Sequence, residues 1–206
     1  DNTVDGFVET WYDQSGNGRD LSQPTAENQP RIVNAGSLEV DGTGYPVINS
    51  DGVNDFMELV ENLGTYGLSN LNASVFSITT RSTNAGNPAL IGNGATTFMS
   101  YGRYGGSGDI GFFVIDQTAS AAGSPTNLSQ ISMFALSNGD TDAYLNGTQE
   151  LNSNTSTTYT LNNFTILRRG SSYANSLISE LIFYNTDQTA NREAIEANQA
   201  AAYGIA

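Results

Sequence analysis

The sequence predicts an all-β fold, a two-sheet antiparallel jelly-roll sandwich with one short C-terminal helix. Three observations predict it. The apolar runs are short and rich in β-branched and aromatic residues, clusters of Gly, Asn, Asp and Ser separate them, and only the C-terminal segment has a helical composition. Many short strands with frequent turns favour a sandwich over a βα repeat. A chain of 206 residues fits one such domain. We therefore expect residues 1–206 to form a single domain, one module of a larger protein.

Eight segments have strand character: 47–48, 56–60, 74–80, 112–116, 131–136, 143–146, 163–167 and 177–184. In 74–80 the alternation puts Phe76 and Ile78 on one face and Val75, Ser77 and Thr79 on the other. Asn146-Gly147 predicts a two-residue hairpin turn, because both of its central positions need a positive φ.

The predicted helix runs from Arg192 to Ala202, a stretch without Gly or Pro. Asp187 or Thr189 is the expected N-cap, and Gly204 is expected to end the helix. Ile195 and several Ala residues give only a narrow apolar stripe, so we expect the helix to lie against the sandwich.

The charge balance is strongly acidic, with 21 Asp and Glu against 7 Lys and Arg and a formal net charge of −14. Without a basic stripe we expect no nucleic-acid partner, and without a long apolar run we expect no membrane insertion. The chain has no Cys and no His, which excludes disulfides, thiolate metal sites and a serine–histidine triad. Two explanations of the acidity stay open, solubility and calcium binding.

The opening motif carries the calcium hypothesis. Asp13, Ser15, Asn17 and Asp20 repeat oxygen-bearing side chains at steps of two and three residues around two glycines. Carboxylate, hydroxyl and amide oxygens are calcium ligands, so these four residues are the candidate metal site. The alternative is a structural Asx turn at Asp13, with Gly16 and Gly18 at positive φ.

A second motif carries the ligand-binding hypothesis. Tyr101, Arg103, Tyr104 and Asp109 lie on a predicted glycine-rich loop that combines aromatic rings with directional polar groups. Arg169 and Tyr173 form a second cluster of the same kind. Sugars present an apolar ring face and many hydroxyl groups, which this mixture suits. In the alternative, the tyrosines pack under the loop and the arginines pair with carboxylates.

Catalysis by paired carboxylates is the weaker interpretation. Glycoside hydrolysis needs two carboxyl groups about 5–10 Å apart, one of them with a raised pKa. The candidate pairs are Asp140 with Asp142 and Glu58 with Glu61, and Glu180 lies in an otherwise apolar strand. Acidic residues in such turns are usually solvated, so we assign no catalytic residue and expect a protein that is not an enzyme.

Several runs resemble a known family. They are Phe7 to Gln23, which contains Trp11-Tyr12-Asp13-Gln14-Ser15-Gly16-Asn17-Gly18; Asp51-Gly52-Val53-Asn54-Asp55-Phe56; the strand Leu177 to Tyr184; and the closing helix. Together they resemble the concanavalin A-like lectin/glucanase superfamily, especially the laminin-G-like modules of bacterial surface and phage tail proteins. The first run is also similar to the start of the α-L-arabinofuranosidase B catalytic domain.

The resemblance implies a non-catalytic carbohydrate-binding or adhesion module of an extracellular surface or phage tail protein. Its partners would be a glycan or polysaccharide and other domains of the same protein. Two alternatives remain, a glycoside hydrolase acting on polysaccharide and a structural capsid or fibre domain that binds only protein. The arabinofuranosidase family has a vicinal Cys pair and a segment with a nucleophilic Glu, and neither has a counterpart here. Its catalytic residues are therefore not carried over.

Overall fold

The computed structural model describes residues 3–59, 61, 72–81, 89–93, 100–103, 110–114, 117–121, 129–137, 140–154 and 164–205. In this part of the chain the strands form two large antiparallel sheets and one small hairpin. Sheet A contains, in spatial order, β1 (Gly6–Phe7), β4 (Arg31–Asn34), β6 (Ile48–Asp51), β19 (Asn175–Tyr184), β8 (Asn72–Arg81), β13 (Ser129–Ser137), β14 (Asp140–Leu145) and β15 (Thr148–Asn154), with β5 (Ser37–Leu38) beside β4.

Sheet B contains β12 (Gln117–Ala121), β11 (Ile110–Val114), β10 (Ser100–Arg103), β9 (Ala89–Asn93), β16 (Phe164–Ile166), β7 (Met57–Leu59), β3 (Leu21–Ser22) and β2 (Thr10–Trp11). The small hairpin pairs β17 (Arg168–Arg169) with β18 (Ser172–Tyr173). The eight predicted strand segments each fall on an observed strand, with ends that differ by a few residues. The shorter strands lack a detectable alternation, because two residues are too few to show a period.

The main hydrophobic core lies between the two sheets. Sheet A contributes Ile48, Val75, Ala143 and Ile178, and sheet B contributes Leu21, Met57, Phe164 and Ile166. Phe164 of sheet B and Phe183 of sheet A meet edge to face, with ring centroids 4.7 Å apart. Such pairs stabilise beyond the area that they bury.

A second, smaller cluster lies on the other face of sheet A. Phe76 is fully buried there against Tyr144, Ile182, Tyr184 and Ile195. Strand β8 is therefore covered on both faces, by sheet B on one side and by the C-terminal helix on the other. Residues 73–80 are all buried for this reason, although the sequence alternates. The predicted partition of Phe76 and Val75 to opposite faces is confirmed.

The C-terminal helix α1 spans Arg192–Tyr203 and ends at Gly204, whose φ is +61° and whose N–H donates to the carbonyl of Ala200. The predicted stop is thus confirmed, and Ile195 packs the helix against sheet A as expected. The predicted N-cap is wrong. Asn191 occupies that position, and the Asp187 carboxylate instead accepts the N–H and the hydroxyl of Thr189, at 2.9 and 2.7 Å, in a preceding 3-10 turn.

The hairpin turn at Asn146-Gly147 joins β14 to β15, with φ of +47° and +80°. No helix in the described part of the chain is long and apolar enough to cross a membrane. The predicted fold class, an all-β antiparallel sandwich with one short C-terminal helix, is confirmed.

Candidate functional site

The four candidate calcium ligands come together in one closed loop. The Asp13 carboxylate accepts the N–H of Ser15 at 2.8 Å, the hydroxyl of Ser15 at 2.9 Å and the N–H of Arg19 at 3.1 Å. The N–H of Asp13 donates to Oδ1 of Asp20 at 2.8 Å. The hydrogen bond from the Ser15 hydroxyl, followed by the backbone N–H donors, holds the pKa of Asp13 below its usual value against a smaller opposing effect of burial.

The same loop has the backbone of a structural turn. Gly16 and Gly18 have φ of +81° and +67°, and the amide of Asn17 donates to the Ser15 hydroxyl at 2.7 Å. Internal hydrogen bonds therefore occupy the Asp13 oxygens and one Asp20 oxygen. Among the described residues, no three Asp or Glu side chains are grouped so as to hold a metal ion. The geometry is that of the Asx turn, and calcium binding at these residues stays a prediction.

A cleft of about 390 Å³ opens beside this loop. One wall is the opening motif from Trp11 to Arg19, and the other is the second half of β19. Leu21 and Leu59 of sheet B and Tyr203 of α1 complete its lining. The cleft therefore lies between the edge of sheet B at β2 and the middle of sheet A.

A β-bulge in β19 shapes the cleft wall. The register with β8 shifts between Ile178 and Glu180, so Ser179 is an extra residue. Ile178 packs in the core before the bulge, and Leu181 and Phe183 pack against the same core after it. Because the alternation changes phase at Ser179, Glu180 faces α1 rather than the space between the sheets.

Glu180 is half-buried there and has partners. The amide of Gln199 donates to its Oε2 at 2.8 Å. Burial, followed by the nearby Glu180 carboxylate, raises the pKa of the Tyr203 hydroxyl. The Gln199 contact indicates a structural role for Glu180, which fixes α1 on the sheet.

The β17–β18 hairpin lies on the outer face of sheet B, opposite the core. A Cβ atom added to Gly92 of β9 would meet the carbonyl oxygen of Arg168 at 2.5 Å, so only glycine permits this close approach. The Thr165 hydroxyl of β16 donates to the same carbonyl at 2.9 Å. Thr165 pairs with Gly92 on one side and Glu58 on the other, so these three residues form one cross-strand row on this face.

A mixed aromatic and charged cluster surrounds the hairpin. The Arg168 guanidinium lies 3.6 Å from the centroid of the Phe56 ring and 3.4 Å from a Glu58 carboxylate oxygen. The rings of Phe56 and Tyr173 lie 6.3 Å apart and are tilted by 46°. The Glu58 side chain is 45% exposed and that of Arg168 is 23% exposed. The contacts of Arg168 with Phe56 and Glu58 could not be predicted from the sequence, because Arg168 is 110 residues from Glu58 in the chain.

The predicted ligand residues have three different outcomes. Tyr104 and Asp109 lie outside the described residues. Tyr101 and Arg103 lie on strand β10, so the prediction of a loop at these two positions is wrong. Arg169 and Tyr173 lie on the hairpin that covers β9, the neighbour of β10 in sheet B. The fold thus brings the two predicted segments onto the same half of one sheet.

The segment Asp51 to Phe56 contains a buried carboxyl group that the sequence did not single out. Asp55 is 8% exposed and accepts the N–H of Asp51 at 3.0 Å. Burial, and to a lesser extent the neighbouring Asp51 carboxyl, raises the pKa of Asp55 to about 6. The Asp51-Gly52-Val53 turn carries it, with the N–H of Val53 bound to Asp51 Oδ1 at 2.7 Å. Repeated Asp around a glycine was the available signal, but burial cannot be read from it.

Two carboxyl groups of the candidate catalytic pairs, those of Glu58 and Asp142, have the partners of ordinary structural carboxylates. Glu58 pairs with Arg168, and Asp142 accepts amide bonds from Gln149 and Asn152 at 2.8 and 3.1 Å. Burial raises the pKa of Asp142, against the effect of these donors. These contacts favour solvated or strand-bridging roles.

Comparison with known proteins defines the class of fold. No protein-family model matches the chain, and no curated protein matches it. Solved structures of carbohydrate-active enzymes share its fold at low sequence identity. The likeness shows a β-rich fold common to such proteins.

Three of the similar solved structures illustrate the likeness. An arabinofuranosidase complexed with arabinofuranosyl-alpha-1,2-xylobiose has 12% identity and a TM-score of 0.69, over 98% of this chain and 52% of its own. A GH54 α-L-arabinofuranosidase has 11% identity and a TM-score of 0.62, over 98% and 52%. Trypanosoma rangeli sialidase in complex with the inhibitor DANA has 11% identity and a TM-score of 0.68, over 90% and 30%. The chain spans about a third to a half of the length of these structures.

Proposed function

We propose that the chain is a non-catalytic carbohydrate-binding or adhesion module that binds a glycan on the outer face of sheet B, around the β17–β18 hairpin. The observation that carries the proposal is the close packing of the hairpin on Gly92, which sets the Arg168 carbonyl against β9, the neighbour of the strand that bears Tyr101 and Arg103. The hairpin also bears Arg169 and Tyr173, so two sequence segments selected for the same chemistry lie on the same sheet.

The described cluster has the chemistry that a sugar requires. The half-buried Tyr173 ring, which lies beside Phe56, offers an apolar surface, and the ion pair of Arg168 and Glu58 offers directional donors and acceptors. Sugar-binding sites combine a stacking surface with a few placed polar groups. The carbohydrate-active structures that share the fold act on glycans, which supports the same ligand class here.

The proposal includes the superfamily and the location of the protein. We infer a concanavalin A-like, laminin-G-like module that acts outside the cell, on a cell surface or on a virion. A calcium ion bound at the Asp13 loop would lie in the opening motif and not at the hairpin. Its role would therefore be to stabilise the fold rather than to contact the glycan.

A glycan array tests ligand class and metal dependence together. The protein is applied with calcium and with a chelator, and bound glycans are confirmed by calorimetry. We expect Tyr173→Ser to weaken binding at least tenfold, which corresponds to about 1.4 kcal/mol for a lost stacking surface. Tyr12→Ser is the matched control, because Tyr12 is 66% exposed and lies in the opening motif, directly after β2 and away from the hairpin.

The outcomes separate the alternatives. Equal binding by the two variants would exclude the proposed surface, and an array without hits would favour a structural module. Hydrolysis of a polysaccharide that is lost on Glu58→Gln would replace the binding module with a glycoside hydrolase.

A further inference from the structure

Strand β19 is paired on both sides for only part of its length. Strand β6 pairs with it from Asn175 to Ile178, and β8 pairs with it as far as Tyr184. Among the described strands, none pairs with residues 179–184 on the β6 side. This half-edge is about 20 Å long at the usual rise per residue. It presents backbone N–H and C=O groups in the middle of a sheet, where a strand edge is normally covered.

The cleft runs along this half-edge. Its wall includes five consecutive residues, 179–183. Successive side chains of a strand point to opposite faces, so five consecutive residues can line one cleft only if it follows the backbone edge. The opposite wall is β2, the edge strand of sheet B, with the loop that follows it. The sandwich is therefore open along this side between its two sheets.

The opening exposes core side chains as well as backbone. Leu21, Leu59, Leu181 and Phe183 belong to the main core and also line the cleft. Leu181 and Phe183 are only half-buried, although their neighbours in the core are fully buried. An apolar surface beside a strand edge without a partner among the described strands is the environment that an added strand would occupy.

The two faces of β19 define the chemistry of that strand. Residues directly opposite each other on neighbouring strands share a face. Those opposite Leu181 and Phe183 would enter the core and must be apolar. The residue opposite Glu180 would face the carboxylate side, next to Tyr203, in a chain of net charge −14. A basic side chain complements it.

We propose that the half-edge 179–184 binds an extended strand of a second polypeptide chain, about six residues long, with apolar side chains opposite Leu181 and Phe183 and a basic side chain opposite Glu180. The strand completes sheet A by backbone hydrogen bonds and closes the core with its apolar side chains. This site is separate from the hairpin surface on sheet B, and it stands or falls independently of the glycan proposal.

The test uses a synthetic eight-residue peptide that alternates valine and arginine, titrated into the full chain at physiological salt. Amide hydrogen exchange measured by NMR reports the edge directly. We expect alternate amides in 179–184 to exchange at least tenfold more slowly with the peptide bound. Two backbone-methylated peptides are compared, one methylated on the amides that would face β19 and one on the amides that would face away. Only the first should lose binding.

Two variants of equal charge change separate specific binding from general attraction. Glu180→Lys is expected to weaken binding of the peptide about tenfold. Glu193→Lys, at a side chain that is 89% exposed and is not part of the cleft lining, is expected to weaken it about twofold or less. A scrambled peptide of the same composition should bind at least tenfold more weakly than the alternating one. Circular dichroism confirms that each variant is folded.

Several results would overturn the proposal. They are equal losses in the two Lys variants, equal binding of the two methylated peptides, slow exchange in the free protein of those 179–184 amides that face away from β8, or displacement of the peptide by a glycan. The last result would assign the cleft to sugar binding instead.

Discussion

The buried carboxyl of Asp55 makes stability depend on pH in a direction that can be worked out from the structure. Its pKa is raised from 3.8 to about 6, chiefly by burial. A carboxyl whose pKa is higher in the folded state binds protons more tightly when folded, so its contribution to stability is present at low pH and is lost as the pH rises from about 4 to about 6. Integrated from pH 4 to pH 8, the loss is about 2 to 3 kcal/mol.

Asp55→Asn removes this titration and keeps the shape of the side chain. The amide oxygen can still accept the N–H of Asp51. We therefore expect the stability of Asp55→Asn relative to the natural chain to be more favourable at pH 8 than at pH 4 by about 2 to 3 kcal/mol. Urea unfolding at both pH values measures it, with the fluorescence of Trp11, the only tryptophan, as the signal.

Other carboxyl groups titrate over the same range, so the comparison is made between variants rather than between pH values alone. Glu9→Gln is the matched control, because Glu9 is exposed and its replacement removes the same charge. An equal change with pH in the natural chain and in Asp55→Asn would refute the argument. It would mean that the folded protein ionises Asp55 as easily as the unfolded chain does.

Three further predictions follow from the packing. Gly92→Ala should lower the free energy of unfolding by about 1 to 3 kcal/mol and weaken glycan binding, since its Cβ would displace the hairpin; unchanged urea midpoint and binding would contradict this. Asp13→Ala should lower stability by about 1 to 2 kcal/mol through three lost hydrogen bonds, and thermal melts in calcium and in chelator will show whether a metal adds to them. Arg192→Met should cost about 3 kcal/mol, because it leaves the buried Glu196 without its partner, and adding Glu196→Gln should recover most of the loss in urea unfolding. No recovery in the double variant would show that packing of Arg192 on Tyr144, rather than the ion pair, carries the effect.

The fold class could be predicted from local chemistry. The alternation in 74–80, the positive φ required at Asn146-Gly147 and the stop at Gly204 are properties of a few neighbouring residues, and the structure confirms each of them. The position of Tyr101 and Arg103 could not be predicted in this way. Glycine-rich sequence is typical of loops, but pairing with β9 and β11 places these residues in a strand.

The candidate sites show the same division. The sequence by itself determined that the oxygen-bearing residues around Asp13 lie close together, because an Asx turn forms within a few residues. Tertiary structure alone decided that Gly92 receives the Arg168 carbonyl, that Glu58 meets Arg168 and that Asp55 is buried. It also decided that β6 ends beside Ile178, so that among the described strands none pairs with the rest of β19 on that side. These features depend on strand pairing between distant segments, whose register is set by the whole core rather than by any local pattern.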